Sequence, residues 1–287
     1  MKVTVKVLNA FIENNSGGNP AGVVLDADNL SHNQKLSIAS QVGLSETAFV
    51  SQSSTADFKL DFYTPNRQIA HCGHATVAVF SYLSQLKLID QGWSSKETID
   101  GNRKILIQKD MAYLEQLAPK YVEVNKYHQK ILNSIGLTQG LILRDPLLVN
   151  TGNSFIIVGV QNKHILAQLK LDFNAIKSIS EELDLIGYYI YTNETHVSEN
   201  DASTRMFFPR YGVDEEAATG MAAGPLASYL YDKIKVKKDR FSIEQGYFMP
   251  VPSPSKIVID LQIENNQISS LMAGGKANIS KKIEVHI

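Results

Sequence analysis

Glu46, Cys72 and His74 carry side chains suited to proton chemistry, and two of them flank one glycine. Glu46 is a lone carboxylate in Leu44-Ser45-Glu46-Thr47-Ala48-Phe49, at the start of an otherwise apolar segment, a setting in which it can act as a general base. A surface charge at a helix end or on an edge strand would leave the same pattern. His74 follows Gly73 and can bind substrate or shuttle a proton near neutral pH, although a single histidine at a helix start is also an ordinary structural donor. Cys72 precedes that glycine, where a helix start would stabilise its thiolate, and a lone cysteine is equally at home as a small buried residue. Glu215 and Glu216 precede Gly220 and can accept hydrogen bonds from a polar substrate or simply complement a helix dipole. His71 reads as a loop residue. With His74 it offers no metal site, because no third ligand stands at suitable spacing.

The two glycines occupy matched points of a repeated phrase. Tyr63-Thr64-Pro65, then Gly73-His74-Ala75 and Tyr82-Leu83, corresponds to Phe207-Phe208-Pro209, then Gly220-Met221-Ala222 and Tyr229-Leu230. Upstream, Gly18-Asn19-Pro20-Ala21 matches Gly152-Asn153-Ser154-Phe155, and Ile38 to Leu44 resembles Ile179 to Leu185. A repeat of this kind makes each copy one structural unit. In this alignment Glu46 faces Gly187 and Cys72 faces Thr219, so the repeat predicts one principal acid/base group rather than a matched pair.

Periodicity predicts strands over 3–8, 21–25, 46–51, 57–63, 104–108 and 111–116, and over 147–150, 155–160, 187–192, 204–208, 241–245 and 257–263. Helices are predicted over 32–42, 74–87, 127–135, 174–183 and 221–234, with starts at Ser31 and Asp172. The segments opening at 74 and 221 are apolar all round, which predicts burial on every side. Pro225 lies in the early turns of the second and predicts a local irregularity. Two buried helices, each flanked by strands, imply an α+β fold of two units in which a curved sheet wraps a central helix. The strand pattern breaks at Leu117-Ala118-Pro119-Lys120, so the domains are expected at 1–119 and 120–287, with a last strand able to cross back. If each buried helix begins at its glycine, its first-turn N–H groups and partial positive charge suit a carboxylate.

Composition sets the outer limits. The 287 residues suit two domains of about 140 each, and 44% hydrophobic with 20% charged residues is an ordinary globular balance. A formal net charge of -1 carries no footprint for nucleic acid, and the run from Lys233 to Arg240 reads as a solvated turn. The N-terminus alternates like a strand rather than a signal peptide, and no stretch reaches the roughly eighteen apolar residues of a membrane helix. A cytoplasmic protein is the expectation. One cysteine excludes an internal disulfide and any multi-cysteine metal site.

Taken together, Gly18-Asn19-Pro20-Ala21-Gly22-Val23, Leu44-Ser45-Glu46-Thr47-Ala48-Phe49, Cys72-Gly73-His74-Ala75-Thr76, Arg205-Met206-Phe207-Phe208-Pro209, Glu244-Gln245-Gly246 and Gly274-Gly275-Lys276-Ala277 resemble the PhzF-like isomerase family of phenazine biosynthesis. The resemblance implies the diaminopimelate epimerase-like fold, two similar domains of mostly antiparallel sheet around a central helix, with an active site in the cleft between them. It also implies that Glu46 is the acid/base moving a proton between carbons of a small carboxylate-bearing metabolite. Gly73, His74, Glu216, Thr219, Gly220 and Met221 fall at its substrate-binding positions. A homodimer with no metal and no organic cofactor follows from the same likeness.

Several positions depart from the family pattern. Glu215-Glu216-Ala217-Ala218-Thr219-Gly220-Met221 stands where Glu-Asp-Pro-Ala-Thr-Gly-Ser is frequent, and Met249-Pro250-Val251-Pro252-Ser253 replaces Met-Gly-Arg-Pro-Ser. The phenazine precursor is therefore not implied as substrate. Thr219 stands where related two-thiol epimerases carry a second cysteine, and an unactivated hydroxyl does not replace a thiol. An epimerase or racemase of a hydroxy or amino acid, with Cys72 or His74 opposite Glu46, is the second reading. A small-molecule binding protein that has lost the chemistry is the third.

Overall fold

A computed structural model describes all 287 residues. The chain forms two compact units, Met1–Glu115 with Gly274–Ile287, and Gln116–Ala273. In chain order the strands are β1 (Lys2–Ala10), β2 (Asn19–Val24), β3 (Thr47–Ser51), β4 (Phe58–Tyr63), β5 (Gln68–Ile69), β6 (Gly92–Thr98), β7 (Gly101–Gln108), β8 (Met111–Leu117) and β9 (Lys120–Glu123). They continue with β10 (Leu147–Asn150), β11 (Ser154–Gly159), β12 (Gly187–Thr192), β13 (Ala202–Phe208), β14 (Val213–Glu216), β15 (Arg240–Gln245), β16 (Ser255–Glu264) and β17 (Gln267–His286). The helices are α1 (His32–Val42), α2 (Gly73–Gln85), α3 (His128–Ser134), α4 (Lys163–Ala167), α5 (Phe173–Glu182) and α6 (Gly220–Asp232).

In the first unit β1–β2 is antiparallel, β2–β3 parallel, β3–β4 antiparallel, β4–β6 parallel and β6–β7–β8 antiparallel. Both β8 and β1 pair with β17, so these strands close on themselves. The second unit uses the same scheme: β10–β11 antiparallel, β11–β12 parallel, β12–β13 antiparallel, β13–β15 parallel and β15–β16 antiparallel. This is the α+β architecture of sheets around central helices that the sequence implies.

The central helices owe their burial to their composition. Every residue from His74 to Leu83 in α2 is buried, as is every residue from Ala222 to Tyr231 in α6. A helix without a polar face gains most when apolar strands surround it, and α2 packs on β1, β2, β3 and β7. Ser31 caps α1 in a reciprocal box with Gln34, and the Asp172 side chain caps α5 through the Ala175 N–H. α6 continues through Pro225, whose missing N–H leaves the Met221 carbonyl without its intrahelical donor.

The tail from Gly274 crosses back to the first unit, where β17 pairs with β1 from Ala10↔Ala277 to Lys2↔His286. Two departures have physical causes. No strand is predicted beyond 263, since Gly274-Gly275 and Lys281-Lys282 break the alternation; yet a Cβ at Gly274 would lie 2.4 Å from the Tyr113 ring, so the glycine is what lets β17 approach β8. β6 is also missed because its inward residues are polar: Ser94, Lys96 and Thr98 are buried while Trp93 is 61% exposed.

Candidate active site

The start of α2 gathers the first group of candidates. Glu46 immediately precedes β3, and its carbonyl accepts from the Gly22 N–H at 3.0 Å, which ties it to β2. A Cβ at Gly22 would meet the Thr47 side chain at 2.7 Å, so glycine is what allows that approach. Cys72 is the extended N-cap of α2, with φ -145° and ψ 122°, and its side chain makes no cap bond. Its Sγ lies 3.6 Å from Nδ1 and 4.0 Å from Nε2 of His74. His74 Nε2 lies 3.3 Å from Oε2 of Glu46. His74 and Cys72 are each 6% exposed, and the Glu46 side chain is 19% exposed.

Chain spacing hid this triad. The sequence offered no third metal ligand around His71 and His74, but Glu46 arrives from another element, and the ligand atoms of Glu46, Cys72 and His74 all lie within 4.8 Å of one another. His71 does not join them. Burial, with the Lys96 and Arg103 charges, holds its imidazole down at about 3, so it is neutral.

Lys96 escaped sequence reasoning altogether, because a lysine in Gly92-Trp93-Ser94-Ser95-Lys96 carries no burial signal. It is fully buried, and Nζ donates to Thr76 Oγ1 at 2.6 Å and contacts His71 Nδ1 at 3.1 Å. The Phe62 ring lies 5.0 Å from Nζ. Thr76 passes the link on, donating from Oγ1 to the Cys72 carbonyl at 2.6 Å. Burial pushes the Lys96 ammonium down to about 7, a shift that the charge of Cys72 opposes. The turn into α2 is thus held by one desolvated cation.

The start of α6, within the second unit, is organised differently. Thr219 is the N-cap; its hydroxyl donates to Oε2 of Glu216, and its N–H donates to Gln245 Oε1 at 3.2 Å. Gln245 Nε2 donates to the Glu216 carbonyl at 2.7 Å, and Tyr189, whose phenol burial keeps protonated, donates to Gln245 Oε1 at 2.9 Å. Gly246, at φ +82°, is required by this packing, since a Cβ there would stand 2.1 Å from the Ser253 carbonyl. The Gly220 carbonyl accepts from Gln116 Nε2 at 2.9 Å, and Met221 Sδ accepts from Asn153 Nδ2 at 3.6 Å. Glu215, offered by the sequence as a substrate acceptor, is instead committed to a two-pronged pair with Arg205 at 2.9 and 2.8 Å.

The sequence and the fold match a known group of proteins. The profile of the family described as Phenazine biosynthesis-like protein (PhzC-PhzF) matches residues 8–282. The chain belongs to that family. It is 32% identical over 295 residues to a protein named uncharacterized isomerase YddE from Escherichia coli strain K12, covering 97% of each chain. The crystal structure of the Bacillus anthracis phenazine biosynthesis protein of the PhzF family superposes with TM-score 0.89 at 26% identity over the whole of both chains. Two more distant structures share the fold alone. One is a hydroxyproline epimerase from Agrobacterium vitis with bound trans-4-hydroxy-L-proline, at TM-score 0.59 and 12% identity, covering 99% of this chain and 92% of that one. The other is a methylitaconate-delta-isomerase, at 0.53 and 11%, covering 99% and 95%. The chain is accordingly an enzyme of the isomerase class. No helix is long and apolar enough to cross a membrane.

Proposed function

We propose that this enzyme moves a proton between carbons of a small carboxylate-bearing metabolite without a cofactor, with Glu46 as the acid/base. The observation that carries the reading is the contact of 3.3 Å between Glu46 Oε2 and His74 Nε2 at the start of α2. A carboxylate beside an imidazole can take a proton from carbon and hold it for return. The proton leaves a carbon alpha or allylic to the carboxylate, its electron pair enters the adjacent π system, and return at another carbon completes the isomerisation. Amide N–H groups at a helix start suit the charge that develops. Substrate-binding roles for Gly73, His74, Glu216, Thr219, Gly220 and Met221 belong to this proposal, as do a homodimer and a cytoplasmic setting.

The test is solvent isotope exchange. Small carboxylic acids, methylitaconate and trans-4-hydroxy-L-proline among them, are incubated with the enzyme in deuterated buffer and followed by NMR. Glu46→Gln keeps the shape and removes the base, so it should abolish deuterium incorporation; a variant exchanging at the unaltered rate sinks the assignment. A second reading, epimerisation with Cys72 supplying the opposing proton, is favoured by its sulfur lying 3.6 Å from His74. Deuterium confined to a stereocentre, and lost in Cys72→Ala, would favour it.

A further inference from the structure

We propose that Glu46, Cys72 and His74 form a binding site for a thiophilic divalent cation, Zn²⁺ foremost, and that its occupation shuts off proton transfer at the start of α2. The binding half stands on geometry; the shut-off half rests on the reading of Glu46 as the base.

The donor set points to the class of cation. One thiolate, one imidazole and one carboxylate suit zinc or cobalt, whereas magnesium and calcium prefer oxygen alone. With metal–sulfur bonds of about 2.3 Å and metal–nitrogen or metal–oxygen bonds of about 2.0–2.1 Å, a tetrahedral ion separates its ligand atoms by roughly 3.3–3.6 Å. His74 Nε2 and Glu46 Oε2 already stand 3.3 Å apart. Cys72 Sγ is 4.0 Å from the same nitrogen, so a small side-chain rotation completes the three-ligand face.

A second observation singles out the carboxylate. Glu46 Oε2 is a buried oxygen that makes no hydrogen bond, and its contact with His74 lacks hydrogen-bond geometry. A buried acceptor left in that condition destabilises the site, and a cation between it and Nε2 would relieve that cost. The partial exposure of Glu46 leaves a fourth position for water or an anion. The Lys96–Thr76 link to the Cys72 carbonyl, at 2.6 Å for each bond, fixes the backbone of one ligand in the manner of outer-shell support. Once the ion engages the lone pairs of Oε2 and Nε2, neither can receive a proton from carbon.

Cobalt titration of the full chain tests this, with metal first removed by chelation and the thiol kept reduced. One equivalent of Co²⁺ should produce a near-ultraviolet thiolate-to-cobalt band, and Zn²⁺ should erase it. Because Cys72 is the one cysteine in the sequence, no other residue can give that band. Cys72→Ser should lose it, and Glu46→Gln should weaken cobalt binding by at least about tenfold, with circular dichroism confirming the fold of each variant. Absence of the band, or a band with unchanged affinity in Glu46→Gln, overturns the site. For the shut-off half, one equivalent of Zn²⁺ should suppress deuterium exchange on any probe acid that exchanges; full exchange in the zinc-loaded enzyme overturns it. A normal exchange rate in Glu46→Gln would instead refute the base assignment and leave the cobalt result standing.

Discussion

The starts of α2 and α6 share a backbone plan and differ in how their polar groups are employed. At α6 the donors and acceptors satisfy one another: Thr219 with Glu216, Gln245 with Thr219 and Tyr189, and Glu215 with Arg205. At α2 the Glu46 carboxylate keeps a buried oxygen without a hydrogen bond, and its neighbours are an imidazole and a thiol. A satisfied network rigidifies, whereas an unsatisfied polar group is kept at a cost that function explains. On the function proposed above, the α2 start supplies the proton chemistry, and the α6 start offers substrate a set of polar groups already held in place by one another.

The sharpest way to break this comparison is to remove one carboxylate from each side. Glu46→Gln should lower proton exchange by on the order of 10²–10⁴-fold. Glu216→Gln, which retains an acceptor for the Thr219 hydroxyl, should cost on the order of tenfold. Exchange rates on the same probe acid decide it, and a larger loss at Glu216 would reverse the assignment of roles. Next in size is the strut at β13–β14. The Arg205 and Glu215 side chains are 10% and 12% exposed, and breaking such a pair strands a charge, so Glu215→Gln should lower unfolding free energy by about 3 kcal/mol. Denaturant midpoints at constant m-value measure it; an unchanged midpoint would mean that the second unit does not depend on its internal pairing.

Much of this was legible beforehand, and what was not has identifiable causes. The two central helices were plain because residues 75–83 and 222–231 have no polar face, and the caps at Ser31 and Asp172 follow from local chemistry. Glu46 and His74 stood out as polar residues in apolar runs. The proximity of Cys72, His74 and Glu46 was not legible, since it depends on β3 and α2 packing together. β6 and Lys96 were invisible because an inward polar face inverts the alternation that marks a strand. β17 was hidden by the glycines that its packing requires.

A smaller effect probes why the two copies cannot be made alike. The counterpart of Glu46 is Gly187, where a Cβ would lie 2.2 Å from the Phe207 carbonyl and 2.8 Å from Phe208 Cβ. No side chain fits there without moving β13, so Gly187→Ala should destabilise by about 1–3 kcal/mol, read from thermal or denaturant unfolding. A neutral result would show that the asymmetry is a choice of chemistry rather than a packing constraint.

The finest test concerns what supports each side: an ion pair across β13–β14 ahead of α6, but a buried lysine behind the turn into α2. Burial brings the Lys96 ammonium from its ordinary 10.5 down to about 7. Below about 7 the lysine is charged in both folded and unfolded states, and the folded state bears the full cost of desolvation. Between about 7 and 10.5 the unfolded chain retains a proton that the folded chain has released, so stability climbs with pH across that window. Lys96→Met removes the titrating group while roughly keeping its volume. It should stabilise the protein below pH 7 by about 1–3 kcal/mol, with the advantage shrinking toward pH 10.5. If unfolding measured across that range shows the variant less stable below pH 7, the lysine's bonds to Thr76 and His71 outweigh its burial. The α2 turn would then rest on a net attraction.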